Sequence, residues 1–285
     1  MSRNTDPGLS RRAFLKRGAA AASAGLPLLR WASKPVRAED EGPYGPFKVG
    51  LQTYSFRNLD RAATLSAMQR LGLHYMESFA GHFPVTDDPE EQEKLKDELK
   101  AVEVEWLAAG VFGFDQDKDG ARKLLEFAQA MGIPTLTAAP TPAGLKVLDE
   151  LLEEFDVRIA IHNHGPGNPF DKITDVTKAM EGHHERIGAC VDTGWYIASG
   201  EDPIEAIQTF GERVYAVHVK DMTAERSFTE VGKGELDVRA MFDVLGTLHY
   251  EGILALEYEE HPDDPVPYVD ECLAAMREAI RPAAE

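Results

Sequence analysis

From Phe47 onward the chain alternates between two kinds of pattern. Short runs dense in Val, Ile, Leu and Ala give way to longer stretches in which apolar positions recur every three or four residues. A short, near-continuous apolar run suits a strand buried on both faces, whereas the wider spacing marks one face of a helix. The strand runs are 48–55, 74–80, 104–111, 134–139, 157–164, 187–194, 214–221 and 252–259. Between them lie helical stretches such as LDRAATLSAMQRLG, EEQEKLKDELKAV, GARKLLEFAQAMG and AGLKVLDELLEEF, and VPYVDECLAAMREAI closes the series. Gly72 and Gly132 stand just past two of these helices, where a stop signal belongs.

Eight strands and eight helices in strict alternation predict an α/β fold, a single (β/α)8 TIM barrel over residues 47–281. A doubly wound open sheet would want a Gly-rich phosphate turn after the first strand, and QTYSFRNLD has none. No linker or second domain interrupts the pattern. The segment SFTEVGKGELD (227–237) is expected to be a long loop over the C-terminal face of the barrel.

Residues 1–38 follow another logic. Ser10 to Lys16 read SRRAFLK, an alanine-rich stretch follows, and a polar boundary comes near VRAED. A basic start, a short apolar centre and a small residue at the boundary predict a signal peptide, and paired Arg11–Arg12 predict the twin-arginine type. The expected location is then the periplasm, reached through the twin-arginine export machinery. Beyond it, no apolar stretch approaches the roughly 20 residues of a membrane span.

The 285-residue chain is 28% charged with a net charge of −19. Removing residues 1–38, with eight Lys/Arg and one Asp, would leave 22 basic and 48 acidic side chains, a net −26. So acidic a body repels phosphate backbones and attracts divalent cations, which argues against nucleic acid as a partner. Cys190 and Cys272 fall in a strand run and a helix run, and two buried free thiols are expected. A homo-oligomer is compatible with the sequence.

In a barrel of this kind the chemistry gathers at the C-terminal ends of the strands. Those ends carry Gln52 and Tyr54; Glu77; 109–112 with Phe112; Pro140; His162 and His164; Asp192; His218 and Lys220; and Glu257 and Glu259. The last four strands each end in a residue able to hold a metal: His162 or His164, Asp192, His218 and Glu257. Strand alternation turns the paired residues to one face, and charged groups belong inside because the outside packs on apolar helices. Mixed nitrogen and oxygen donors suit one divalent ion of Mn, Zn, Co or Fe better than Ca. His183, His184 and His249 sit in helical or turn context and are expected to face solvent, and His82 could either reach the site or lie on the surface.

The succession IHNHG, CVDTGWYIASGEDP, VHVKDM, VGKGELD and LALEYE resembles the xylose isomerase-like TIM-barrel superfamily, and more narrowly its sugar phosphate isomerase/epimerase group. That group also includes inosose dehydratase and ketose 3-epimerases, and endonuclease IV shares the fold. The resemblance implies a metal held by a Glu on strand five, an Asp on strand six, a His on strand seven and a Glu on strand eight. Asp192, His218 and Glu257 match, but His162 stands where the strand-five Glu belongs. In the epimerase branch the two glutamates also work as a proton-transferring pair, and that pair is broken here.

The expected activity is a metal-dependent isomerase or epimerase acting through an enediolate on an unphosphorylated carbohydrate. Glu257, His164, Lys220 and Glu77 are the acid/base candidates, and Gln52, Tyr54, Trp195 and Phe112 the substrate-binding ones. The alternative is a metal-dependent lyase or dehydratase acting on a keto-sugar, keto-glycoside or cyclitol. A barrel that binds carbohydrate without catalysis is a third reading. A phosphodiesterase is disfavoured by the acidic charge.

Overall fold

The inner and outer faces of the strands explain why the apolar runs look as they do. Ile159 and Ile161, Val217 and Val219, and Leu254 and Leu256 belong to the large apolar layer between strands and helices. Their alternates Ala160, Cys190, Ala216 and Ala255 form a second, smaller cluster with Leu107, Ala108 and Ile253. Side chains alternate with period two, so each inward row runs from a small residue to a polar one: Ala160 to His162, Cys190 to Asp192, Ala216 to His218, Ala255 to Glu257. Small residues below leave room for the polar layer above.

The protein is described by a computed structural model over residues 42–280, and the expected twin-arginine leader lies outside the described residues. The barrel strands are β1 (Lys48–Gln52), β2 (Tyr75–Ser78), β3 (Glu105–Phe114), β4 (Thr135–Pro140), β5 (Arg158–His162), β6 (Ile187–Asp192) and β7 (Val214–Val219). After them a two-stranded hairpin, β8 (Asp221–Met222) and β9 (Phe228–Thr229), precedes the eighth barrel strand, β10 (Ile253–Leu256). The barrel is closed in the order β1-β10-β7-β6-β5-β4-β3-β2, and every barrel pair is parallel. The fold is therefore the single (β/α)8 barrel expected from the pattern.

The helices are α1 (Arg61–Arg70), α2 (Pro89–Ala101), α3 (Lys118–Met131), α4 (Pro142–Leu151), α5 (Ile173–Met180), α6 (Thr193–Ser199), α7 (Pro203–Phe210), α8 (Val238–Thr247) and α9 (Val266–Ile280). Asp60, Asp117 and Asp237 start three of them by accepting from Ala63, Gly120 and Ala240 at 2.7, 3.0 and 2.9 Å. Gly132 closes α3 at φ +73°. Eight helices were expected and nine occur among the described residues. The extra one arises after β6, where Gly200 ends α6 at φ +72° and Asp202–Pro203 begins α7. Both cysteines are free and buried. Among the described residues no helix is long and apolar enough to cross a membrane.

Candidate active site

His162, Asp192, His218 and Glu257 meet above the small inner cluster, each offering an atom within 4.8 Å of the others. All four are buried. His218 Nδ1 lies 3.1 Å from Glu257 Oε2 and 3.7 Å from Asp192 Oδ2, and His162 Nε2 lies 3.4 Å from Asp192 Oδ2. His162 Nε2, Asp192 Oδ2 and His218 Nδ1 nevertheless have no hydrogen-bond partner. Buried polar atoms left unpaired are costly, and a shared cation is what three such atoms converging on one point would accept. Two imidazoles with two carboxylates suit Mn, Zn, Co or Fe, so the donor set fits the expected ion.

The surroundings aim these atoms. His218 Nε2 donates to Glu77 Oε2 at 2.9 Å, which turns Nδ1 towards the other donors. Glu77 Oε1 in turn accepts from Gln52 Nε2 at 2.9 Å and from Thr137 Oγ1 at 2.5 Å. Asp192 caps α6 through Oδ1, which accepts from Trp195 N at 2.8 Å and leaves Oδ2 free for the site. Asn163 holds the same aspartate from behind, accepting from its N–H at 2.7 Å and donating to its C=O at 3.0 Å.

Lys220 lies in the same buried layer, 2.6 Å from Glu259, 2.9 Å from Glu257 and 3.2 Å from Asp192. Gly194 is required beside it, because a Cβ there would meet Lys220 Cγ at 2.7 Å. Burial alone would lower the Lys220 ammonium, but Asp192, Glu257 and Glu259 raise it above its ordinary value. Burial would likewise raise the Asp192 and Glu257 carboxyls. Lys220 and the facing imidazoles hold Asp192 well below the usual range, and Lys220 and His218 do the same for Glu257. Burial would lower His218, yet Cys190, Glu77 and Glu257 raise it well above normal. Asp192, Glu257 and Glu259 thus face the Lys220 ammonium with a raised His218 beside Glu257, positive charge that a divalent cation would supplement.

His164 stands outside the four-residue group and stacks on Trp195 at 4.1 Å. A Cβ at Gly165 would run into the Trp195 ring, so IHNHG needs its glycine for this stack. His164 Nδ1 accepts from Gly165 N at 2.9 Å and lies 3.1 Å from Asn168 Nδ2, which leaves Nε2 as the proton-bearing nitrogen of the neutral ring. Burial and the neighbouring His162 lower its pKa, with Lys220 adding to the effect.

Above these groups opens a cavity of about 900 Å³. Gln52, Tyr54, His162, His164, Trp195, Lys220 and Glu257 line it as the sequence suggests, and Glu259 joins them. Two residues fall elsewhere. Phe112 packs on the outer apolar layer, because the β3–β4 register shifts between Ala109 and Phe112 and brings Val111 to the cavity instead. Glu77 is fully buried beneath the cavity with its oxygens occupied, so it positions His218 and has no access to a substrate. His82 is buried against Phe79 and bonded to Leu59 O at 2.9 Å, neither in the site nor on the surface. His183 is paired with Asp149 at 2.7 Å, half-buried, and also lines the cavity.

The long loop after β7 closes over this layer, and Asp221 organises it. Its Oδ1 accepts from Met222 and Leu236 N–H at 2.8 and 2.9 Å, and its Oδ2 from Gly232 and Gly234 N–H at 2.9 and 3.0 Å. The loop then presents Phe228 edge-on to Trp195 at 4.9 Å, with Lys220 Nζ 5.0 Å from the Phe228 ring. Asp221→Ala should unpair these N–H groups and cost at least about 2 kcal/mol. Urea unfolding and accelerated proteolytic nicking within 223–237 check this.

A sequence profile of the xylose isomerase-like TIM barrel matches residues 65–279, well over half of the chain. The chain belongs to that family. Within it, an inosose dehydratase from Clostridium botulinum is 29% identical over 146 residues, covering 44% of this chain and 49% of the relative. The chain spans about half the length of the curated relatives it matches. An uncharacterised protein from Parabacteroides distasonis superposes with a TM-score of 0.65 at 27% identity, over 82% of this chain and 99% of the other. D-psicose 3-epimerase from Clostridium cellulolyticum superposes with a TM-score of 0.66 at 12% identity, over 82% of this chain and 99% of that one, a likeness of fold alone. The family is enzymatic, and both dehydratases and epimerases share its fold.

Sequence reasoning did not single out Asn163 or Thr193. Asn163 sits between the two histidines of IHNHG, and that placement was its only signal. Thr193 Oγ1 accepts from Lys220 N at 2.9 Å and bonds the Lys220 carbonyl at 2.6 Å, fixing the backbone that carries the ammonium.

Proposed function

We propose that this protein is a metal-dependent lyase that removes a proton α to a carbonyl and expels a β-oxygen substituent. Its substrate is a keto-sugar, keto-glycoside or cyclitol. The observation that carries this reading is His162 at the end of β5 within the buried donor group. Epimerisation needs a proton-transferring group on each face of the substrate carbon. Here the strand-five position offers an imidazole in the donor group, and Glu259 lies beside Glu257 on the same side of the site, tied to Lys220. Elimination needs only one base and one acid.

His162, Asp192, His218 and Glu257 would hold the ion. When bound, it supplies Lewis-acid polarisation of the carbonyl. Glu257, an ionised carboxylate at the cavity floor, takes the α proton. Lys220, kept charged by its three carboxylates, donates to the departing oxygen. His164 Nε2–H donates a hydrogen bond to a substrate oxygen, and Trp195 shields the site from water. The inosose dehydratases among the relatives support the same direction.

Incubating the purified enzyme with candidate keto-sugars, keto-glycosides and cyclitols in D₂O tests the reading. Release of water or an alcohol, with a conjugated enone absorbing in the near ultraviolet, is expected. A product of unchanged connectivity carrying one deuterium would overturn it in favour of an isomerase or epimerase. The proposal extends to residues 1–38 as a twin-arginine leader. Periplasmic recovery of the full chain, abolished by changing Arg11 and Arg12 to Lys, checks that part.

A further inference from the structure

The cavity runs further than the reacting groups need. Beyond His164 it continues between α4 and α5, where Thr141, Lys146, Phe170, Lys178 and His183 line it. His183 lies past the end of α5 and also lines a second cavity, with Arg158 and Tyr215 from the starts of β5 and β7. The arm therefore descends the outer wall of the barrel, from the mouth towards the opposite end. The eight residues of α5 alone span about 12 Å of it. That is longer than one sugar ring. The whole cavity, about 900 Å³, lies at the upper end of the roughly 300–1,000 Å³ of small-molecule pockets.

The charge of the arm is opposite to that of the chain. Asp and Glu outnumber Lys and Arg by 49 to 30 in the sequence. Yet the carboxylates that line the cavity, Glu257 and Glu259, both stand at the reacting end and both are paired with Lys220. The ionisable residues of the arm are Lys146, Lys178 and His183. Both lysines are exposed, and neither has an ion-pair partner among the described residues. Two ammonium groups in a cleft with no facing carboxylate make a local positive field that favours an anionic group.

The neutral contacts of the arm suit a sugar chain. Asp149 is not part of the lining, and its oxygens are taken by His183 Nδ1 at 2.7 Å and His184 N–H at 2.9 Å. The first of these bonds leaves Nε2 of the neutral His183 ring as an acceptor for a hydroxyl. Thr141 Oγ1 accepts from Gly144 N–H at 3.1 Å and keeps its own proton to donate. Phe170 and Leu145 offer apolar surface on which the C–H face of a sugar can rest.

We infer that the arm between α4 and α5 is an extended subsite for an anionic glycan, so that the substrate is an acidic oligosaccharide whose reacting sugar lies by Glu257 and Lys220. This rests on the carbohydrate reading of the site and extends its substrate from a single ring to a charged chain. Uronic acid carboxylates and sulfate esters share the chemistry that the two lysines would recognise.

Calorimetry on the metal-loaded protein tests this with β-1,4-linked probes that lack the activating keto group. They are cellotriose, the matching triglucuronate, sulfated cellotriose and monomeric glucuronate. Triglucuronate or sulfated cellotriose is expected to bind at least about 10-fold more tightly than cellotriose, and the acidic trimer more tightly than glucuronate. Whichever acidic trimer binds better identifies the acid. The preference should disappear in Lys146→Gln/Lys178→Gln, with metal content and thermal midpoint checked, and should shrink as salt rises from about 50 to about 500 mM. Equal binding of neutral and acidic trimers, binding of none of them, or an unchanged preference in the double variant overturns the subsite. A preference for the acidic trimer in protein that eliminates nothing from any keto-sugar keeps the subsite and overturns the lyase reading. Elimination from keto-sugars without that preference does the reverse.

Discussion

Asp192→Asn and His218→Ala should each purify without stoichiometric divalent metal and without turnover. Asp192 loses the charge of Oδ2, which lies 3.2 Å from the Lys220 ammonium, while Oδ1 can still cap α6, so the fold is expected to persist. His218→Ala removes the Nδ1 donor and leaves Glu77 buried with one fewer partner. Glu77→Gln is the comparison that gives the result its meaning. It leaves all four donors in place and weakens only the hold on His218 Nε2. An outer partner of this kind is worth about 10–100-fold in metal affinity, so this variant should bind weakly while the two direct substitutions fall more than 100-fold. Metal analysis after dialysis, with titration of Mn, Zn, Co and Fe, reads all three. Retention of metal by Asp192→Asn would remove the site from consideration.

Much of this site was legible because barrel strands obey two simple rules. Side chains alternate, and functional groups collect at C-terminal ends, so His162, Asp192, His218 and Glu257 could be read as a group from four separate runs. The strand count was legible for the same reason, since Ile, Val and Leu on the outer face make the runs dense. Alternation fails where the register slips. Counting by twos along β3 turns Phe112 inward, and the shift between Ala109 and Phe112 delivers Val111 instead. Depth was also hidden. Glu77 points inward as counted, yet it lies under His218, and nothing local to YMES distinguishes a lining carboxylate from a supporting one. The ninth helix escaped because Gly200 and Pro203 divide a short connection that periodicity over a dozen residues cannot resolve.

Lys220→Met should separate the charge of this side chain from its packing. Methionine keeps most of the stem beside Gly194 while removing the ammonium that faces Trp195 and Phe228. In metal-free protein, Asp192, Glu257 and Glu259 then lose their shared cation, and breaking such a buried arrangement typically costs about 3–5 kcal/mol. The metal-free variant should therefore unfold at markedly lower denaturant. Saturating metal should restore much of the loss, because an ion among the four donors neutralises Asp192 and Glu257, and only Glu259 stays unpaired. Turnover should not recover with it. If the ammonium protonates the departing oxygen, its loss lowers kcat on the order of 10²–10⁴-fold even in metal-loaded protein. That loss should be smallest for the substrate whose leaving group is the weakest base, since it needs a proton least. A variant that regains both stability and full kcat on metal addition would reduce Lys220 to a stand-in for the cation, and the acid of the elimination would have to be found elsewhere.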